Sequence, residues 1–120
     1  MNWQLIEDIK VLDSIIELSQ QKPLTIFKHS TRCGISSFVL KNFERSLPDE
    51  LKSSNQLYYL DLIAYRNISK AIEERFDVRH ESPQVIVIKK GEAIYNASHY
   101  GIDVDRLAGL LIEADSIDQI

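Results

Sequence analysis

Apolar positions along this chain switch between a helical and a strand-like rhythm, and the alternation predicts a layered α/β fold. Trp3 to Ile6 reads as a short strand. Ile9, Leu12 and Ile16 then recur at helical spacing in a stretch from about Ile9 to Gln20, with Asp8 placed to cap its start and Pro23 closing the unit. Leu24-Thr25-Ile26-Phe27 is the continuous run of a buried strand, and His29-Ser30-Thr31-Arg32 is a polar connection leading to Cys33. Ser36, Val39, Leu40, Phe43 and Leu47 return to helical spacing until Pro48, which cannot continue a helix interior. After a loop at Lys52-Ser53-Ser54-Asn55, Leu57 to Leu62 forms a third strand, and Ile68, Ile72 and Phe76 mark the face of a helix ending near Asp77.

The rhythm then changes. Gln84 to Lys89, Lys90-Gly91-Glu92 and Ala93 to Asn96 read as strand, tight turn and strand. Asp103 or Asp105 can cap a last helix whose apolar face is Leu107, Leu110, Leu111 and Ala114. The order is βαβαβαββα. Its parallel units need right-handed crossovers and its hairpin adds an antiparallel edge, giving a central mixed sheet flanked by helices in a single domain over residues 1–120. That is the thioredoxin arrangement.

Composition narrows the function classes. A length of 120 residues with 44% hydrophobic content can bury one core. The net charge of -4 supplies no basic field for a nucleic-acid backbone or an anionic membrane, so neither partner is expected. No window approaches the run of roughly 18 apolar residues that spans a bilayer, and Asn2, Gln4, Glu7 and Asp8 occupy the place of a signal peptide. A cytoplasmic location is the expectation. The chain's one cysteine cannot form an internal disulfide, and its three histidines, His29, His80 and His99, do not fall in a metal-binding spacing. No protein-only metal site is expected.

Cys33 carries the candidate chemistry. At the first turn of a helix, unsatisfied backbone N–H groups and the positive end of the macrodipole favour a thiolate over a thiol. Arg32 adds a neighbouring positive charge, and Thr31 or Ser30 can orient a hydroxyl toward the sulfur or cap the helix. The thiolate is the attacking species in disulfide exchange. Ser36 stands where a C-x-x-C oxidoreductase keeps its resolving cysteine, and serine cannot resolve a mixed disulfide. A mixed disulfide on Cys33 therefore persists until an outside thiol attacks, with the Ser36 hydroxyl limited to hydrogen-bonding the sulfur. Free cysteines also commonly just fill space in cores, but Cys33 lies in a polar segment beside Gly34 with no apolar periodicity claiming it.

Pro83 precedes the apolar run Val85 to Ile88, where a trans proline would mark only a strand start. In a thioredoxin-type fold this position holds a cis-proline opposite the active cysteine, and the backbone of the preceding residue, here Ser82, is free to pair with an extended substrate.

Taken together, Phe27-Lys28-His29-Ser30-Thr31-Arg32-Cys33-Gly34-Ile35-Ser36 and His80-Glu81-Ser82-Pro83-Gln84 resemble the monothiol bacilliredoxin family of bacillithiol-system redox proteins. The resemblance spans nearly the whole chain and includes Trp3 and the Lys90-Gly91 turn. It implies a thioredoxin fold and a thiol-disulfide oxidoreductase that removes bacillithiol from S-bacillithiolated client proteins. It also implies Cys33 as nucleophile with Ser36 beside it, and Thr31, Arg32, Gly34, Ser82 and Pro83 around the bound low-molecular-weight thiol. Gly34 departs from the family pattern, which more often has proline. That departure makes the local string similar to the Cys-Gly-Phe-Ser of monothiol glutaredoxins, which hold an iron-sulfur cluster with glutathione. Those proteins place a lysine farther upstream and carry a Gly-Gly pair after the second hairpin strand, where this chain has Asn96-Ala97. An iron-sulfur or thiol carrier and a redox-inert thioredoxin-fold interaction module are the rival readings.

Other residues carry paired readings. His29 can tune Cys33 or be a solvated loop residue, and Lys28 and Arg32 can attract the carboxylates of bacillithiol or be ordinary surface charges. His80 and Glu81 can contact a thiol cofactor or sit in a solvated loop, and His99 and Tyr100 can approach the cofactor groove or cover the sheet edge. Asp61 can lie near the sulfur or accept backbone hydrogen bonds.

Overall fold

A computed structural model describes residues 1–118, with side chains described to residue 112. Its elements run β1 (Gln4–Leu5), α1 (Ile9–Leu18), β2 (Leu24–His29), α2 (Gly34–Ser46), α3 (Asp49–Lys52), β3 (Leu57–Asp61), α4 (Arg66–Phe76), β4 (Gln84–Lys89), β5 (Glu92–Ser98), a 3-10 turn (His99–Gly101) and α5 (Val104–Asp118). The sheet order is β1-β3-β2-β4-β5, with β1, β3 and β2 parallel and β4 and β5 antiparallel to their neighbours. This mixed sheet flanked by helices is the thioredoxin fold.

Strand alternation sends the residues of β2 to opposite faces. Leu24 and Ile26 join Leu12, Ile15, Ile68, Ile72 and Phe76 in a core under α1 and α4, whereas Phe27 joins Val39, Phe43, Leu107 and Leu111 under α2 and α5. Trp3 closes the second core at the β1 edge. Its ring lies 5.9 Å from both Phe27 and Phe43, and its Nε1–H donates to Glu44 at 2.9 Å.

Local chemistry sets the element ends. Asp8 caps α1 by accepting from Lys10 N at 2.8 Å, and Asp103 accepts from Arg106 N at 3.1 Å at the start of α5. The two-residue β4–β5 turn has positive φ at Lys90 (53°) and Gly91 (75°), the twist that matches a hairpin's strands. Ser19 anchors that turn to the end of α1, its carbonyl accepting from Lys90 N and its hydroxyl from Gly91 N.

Several boundaries differ from the sequence expectation. The buried face of α1 centres on Leu12 and Ile15, while Ile9 is exposed. Strand β2 continues to His29 with all six residues buried, and α3 stands just before the expected loop. Ala114 lies outside the residues whose side chains are described. No helix among the described residues is long and apolar enough to cross a membrane.

Candidate functional site

Strand β2 ends in the turn that delivers Cys33. The Cys33 N–H donates to the Ser30 carbonyl at 3.2 Å, and the Cys33 carbonyl accepts from Ser37 N at 3.1 Å. Cys33 is thereby the N-cap of α2, in extended conformation (φ -112°, ψ 118°). The thiol is free and partly exposed. The first turn of this 13-residue helix carries no acidic residue, so no carboxylate there opposes its positive end. The sulfur is therefore reachable from solvent at the end of the helix where backbone N–H groups are left unpaired.

Ser36 is fully buried one turn into α2. Its hydroxyl oxygen accepts from Ser30 N at 3.1 Å and lies 2.7 Å from His29 Nδ1. The arrangement closes when the hydroxyl donates its hydrogen to Nδ1, which leaves His29 as the Nε2–H tautomer. Burial pushes the His29 pKa down, against the opposing pull of Asp61 and Glu44, and so favours the neutral ring that this bonding needs. Two expectations are corrected here. The Ser36 hydroxyl bonds the end of β2 rather than the sulfur, and His29 is a buried strand residue, its ring 5.7 Å from Tyr59, rather than a solvated loop residue.

Around the cysteine, Thr31, Arg32 and Gly34 form an exposed rim. Neither Thr31 nor Ser30 caps α2, which has no side-chain cap bond. A Cβ added at Gly34 would meet nothing within 4 Å. Across the sheet end, the Ser82-Pro83 peptide bond is cis and the Pro83 carbonyl accepts from His99 N at 2.9 Å. Lys28 pairs with Gln84 between β2 and β4, so Pro83 shares the sheet end that carries residues 29 to 33. Among the described residues the Ser82 hydroxyl is buried without a partner, and its backbone makes no hydrogen bond. Asp61 accepts from Ile63 N and Ala64 N, the backbone role of its two readings.

Lys28 overturns its surface reading altogether. Sharing a strand face with Leu24 and Ile26, it is fully buried, with Nζ 2.6 Å from His80 Nδ1 and 3.2 Å from Gln84 Oε1. Burial lowers its pKa to about 8, with Glu73 pulling the other way. The segment before Pro83 is held by the same groups. Gln84 Nε2 donates to the Arg79 carbonyl at 3.0 Å, Glu73 accepts from His80 N at 2.5 Å, and the Ser98 hydroxyl donates to Glu81. His80 and Glu81 are thus fixed rather than freely solvated. The i, i+2, i+4 alternation of Leu24, Ile26 and Lys28 was the available sign that Lys28 points inward.

Comparison with known proteins bears on the family and the fold. The model of the family described as monothiol bacilliredoxin BrxC matches residues 4–107. A solved protein provisionally assigned as an oxidoreductase with a thioredoxin fold is 30% identical, with a TM-score of 0.73 over 87% of this chain and 88% of that one. Thioredoxin from Malassezia sympodialis is 15% identical, with a TM-score of 0.67 over 95% of this chain and 91% of its own. Thioredoxin from Schistosoma mansoni is 16% identical, with a TM-score of 0.64 over 92% and 94%. These last two are similar in fold.

Proposed function

The chain belongs to the monothiol bacilliredoxin family, a family of thiol redox function, and from that premise we propose that it removes bacillithiol from S-bacillithiolated proteins in the cytoplasm through a mixed disulfide on Cys33. The observation that carries this reading is a free, partly exposed cysteine at the N-cap of α2, at the same sheet end as a Ser82 backbone that has no hydrogen-bond partner among the described residues.

The cycle needs one protein thiol. The Cys33 thiolate attacks the bacillithiol sulfur of the client's mixed disulfide, and the client–bacillithiol S–S bond breaks as the new one forms. The electron pair leaves on the client sulfur, which takes a proton from solvent. An extended client segment can pair with the free N–H and C=O of Ser82 in the manner of an added strand. A second low-molecular-weight thiol, as its thiolate, then attacks the Cys33 mixed disulfide, releasing the Cys33 thiolate and a small-molecule disulfide. Ser36 cannot intervene, because its hydroxyl is engaged by His29 and Ser30 and has no redox chemistry.

Intact mass spectrometry tests this directly. After exposure to oxidised bacillithiol, the protein gains one bacillithiol adduct, in preference to a glutathione adduct from oxidised glutathione, and Cys33→Ser gains neither. Retained exchange with a bacillithiolated client in Cys33→Ser would refute the reading.

A further inference from the structure

We propose that the hollow between α4 and the segment before Pro83 is a carboxylate-binding subsite for the small-thiol half of the mixed disulfide. The inference rests on the exchange reaction above and names where its substrate's acidic arm is held. The hollow has a volume of about 470 Å³ and is lined by Leu62, Arg66, Ser69, Lys70, Glu73 and His80. Its lip is one hydrogen bond from the strand that delivers Cys33, since Leu62 N donates to the His29 carbonyl at 3.0 Å.

The donor and acceptor inventory decides the ligand class. Lys28 Nζ and Ser69 Oγ both lie within hydrogen-bond distance of His80 Nδ1, at 2.6 and 3.2 Å. A lysine ammonium only donates, so Nδ1 is the acceptor and the neutral ring carries its hydrogen on Nε2. Burial and the adjacent Lys28 both disfavour a charged His80, against the pull of Glu73 and Glu81. His80 therefore presents an N–H donor from a ring anchored by buried groups. Arg66 and Lys70 make no hydrogen bond or ion pair to any described residue. Glu73 is the one acidic side chain of the lining, and one of its oxygens already accepts from His80 N. Two cations free to donate, a fixed N–H and the buried Lys28 charge behind it against one engaged carboxylate make a site for an anion. Planar carboxylates match the guanidinium fork of Arg66.

Two cysteine peptides of one sequence provide the test, one thiolated with bacillithiol and the other with uncharged 2-mercaptoethanol. In the double variant Arg66→Glu/Lys70→Glu, the ratio of kcat/KM for the bacillithiol peptide over the mercaptoethanol peptide falls about ten-fold or more, chiefly through KM, as loss of charge-assisted hydrogen bonds requires. Lys41→Glu, an exposed reversal on α2, leaves the ratio within about two-fold. An unchanged ratio in the double variant overturns the subsite. A readout without turnover accompanies it: S-methyl bacillithiol added to Cys33→Ser shifts the amide resonances of Ser69, Lys70 and His80, and the absence of those shifts also overturns it. Wild-type protein inactive on both peptides would refute the exchange reaction alone, leaving the titration to decide the subsite.

Discussion

Replacing Ser36 by alanine separates two roles for this hydroxyl. If it served the sulfur, Ser36→Ala would change the reactivity of Cys33 and barely touch stability. The observed bonds predict the reverse. Alanine removes the acceptor of Ser30 N and the partner of His29 Nδ1 at a fully buried position. Each lost bond is worth about 1 kcal/mol, and the buried groups left behind add to that, so about 2 to 3 kcal/mol of folding stability is lost. For a chain of this length that lowers Tm by about 10 °C. Ser37→Ala is the matched control, since Ser37 is next on the same helix and its hydroxyl makes no hydrogen bond to a described residue. It changes stability by less than about 0.5 kcal/mol. Urea unfolding followed by Trp3, the single tryptophan, reads both, because its ring packs on Phe27 and Phe43 beside α2. A Ser36→Ala cost no larger than that of Ser37→Ala would refute the tie between the hydroxyl and the end of β2.

The remaining predictions concern other parts of the same frame. Gly34→Pro is stabilising by about 0.4 to 1 kcal/mol in thermal unfolding, because position 34 opens α2, has open space around it, and follows a Cys33 already in the extended conformation that proline demands of its predecessor; a loss of stability would refute this account of the turn. Lys28→Met flattens the pH dependence of stability between pH 8 and 10. The folded pKa of about 8 lies below the unfolded 10.5, so across that window the unfolded chain binds the extra proton and wild-type stability rises with pH, while below pH 8 both states are charged and the slope vanishes. Equal slopes for wild type and variant in urea titrations would show that Lys28 is not buried as an ammonium. Trp3→Phe keeps an aromatic ring against Phe27 and Phe43 but loses the donor to Glu44, at about 1 kcal/mol by circular-dichroism melting; a neutral substitution would mean that the Glu44 bond adds nothing to water.

The sequence carried the frame clearly where one physical signal dominated. Unbroken branched runs, helical repeats and the Lys90-Gly91 turn each admit few structures, and Pro48 and Asp8 mark ends by the backbone groups they lack or satisfy. Cys33 and Pro83 were likewise visible from position, one after a strand and the other before one. What stayed hidden was the polar interior. Lys28 and His29 read as surface or solvent residues because composition treats charge as exposed, and Ser36 read as a partner of the sulfur, yet β2 extends two residues beyond its apolar run. Pairing with β3 and β4 on both sides carries Lys28 inside, and pairing with β3 carries His29. Tertiary neighbours, which no local pattern contains, supply their hydrogen bonds. Arg66 and Lys70 stayed unremarked for a related reason: only the fold brings α4 beside the segment before Pro83.

Those two buried polar residues also explain how a fold without a second thiol keeps its site in register. Consecutive residues of β2 face opposite sides of the sheet, so Lys28 reaches the segment before Pro83 while His29 reaches Ser36 one turn beyond Cys33. One strand end is thereby bonded to both walls of the cleft. Apolar residues at 28 and 29 would bury as well or better, since an unpaired buried cation or imidazole is costly, but packing contacts are not directional and would leave the 79–84 segment free to shift against α2. Hydrogen bonds fix distance and angle. The proposed one-thiol cycle needs that fixity twice, because in it two different sulfur nucleophiles act in sequence through Cys33 and both must meet a sulfur aligned for displacement. The buried polar pair at the end of β2 is therefore best understood as the element that holds the cysteine turn and the proline segment at one spacing through both steps.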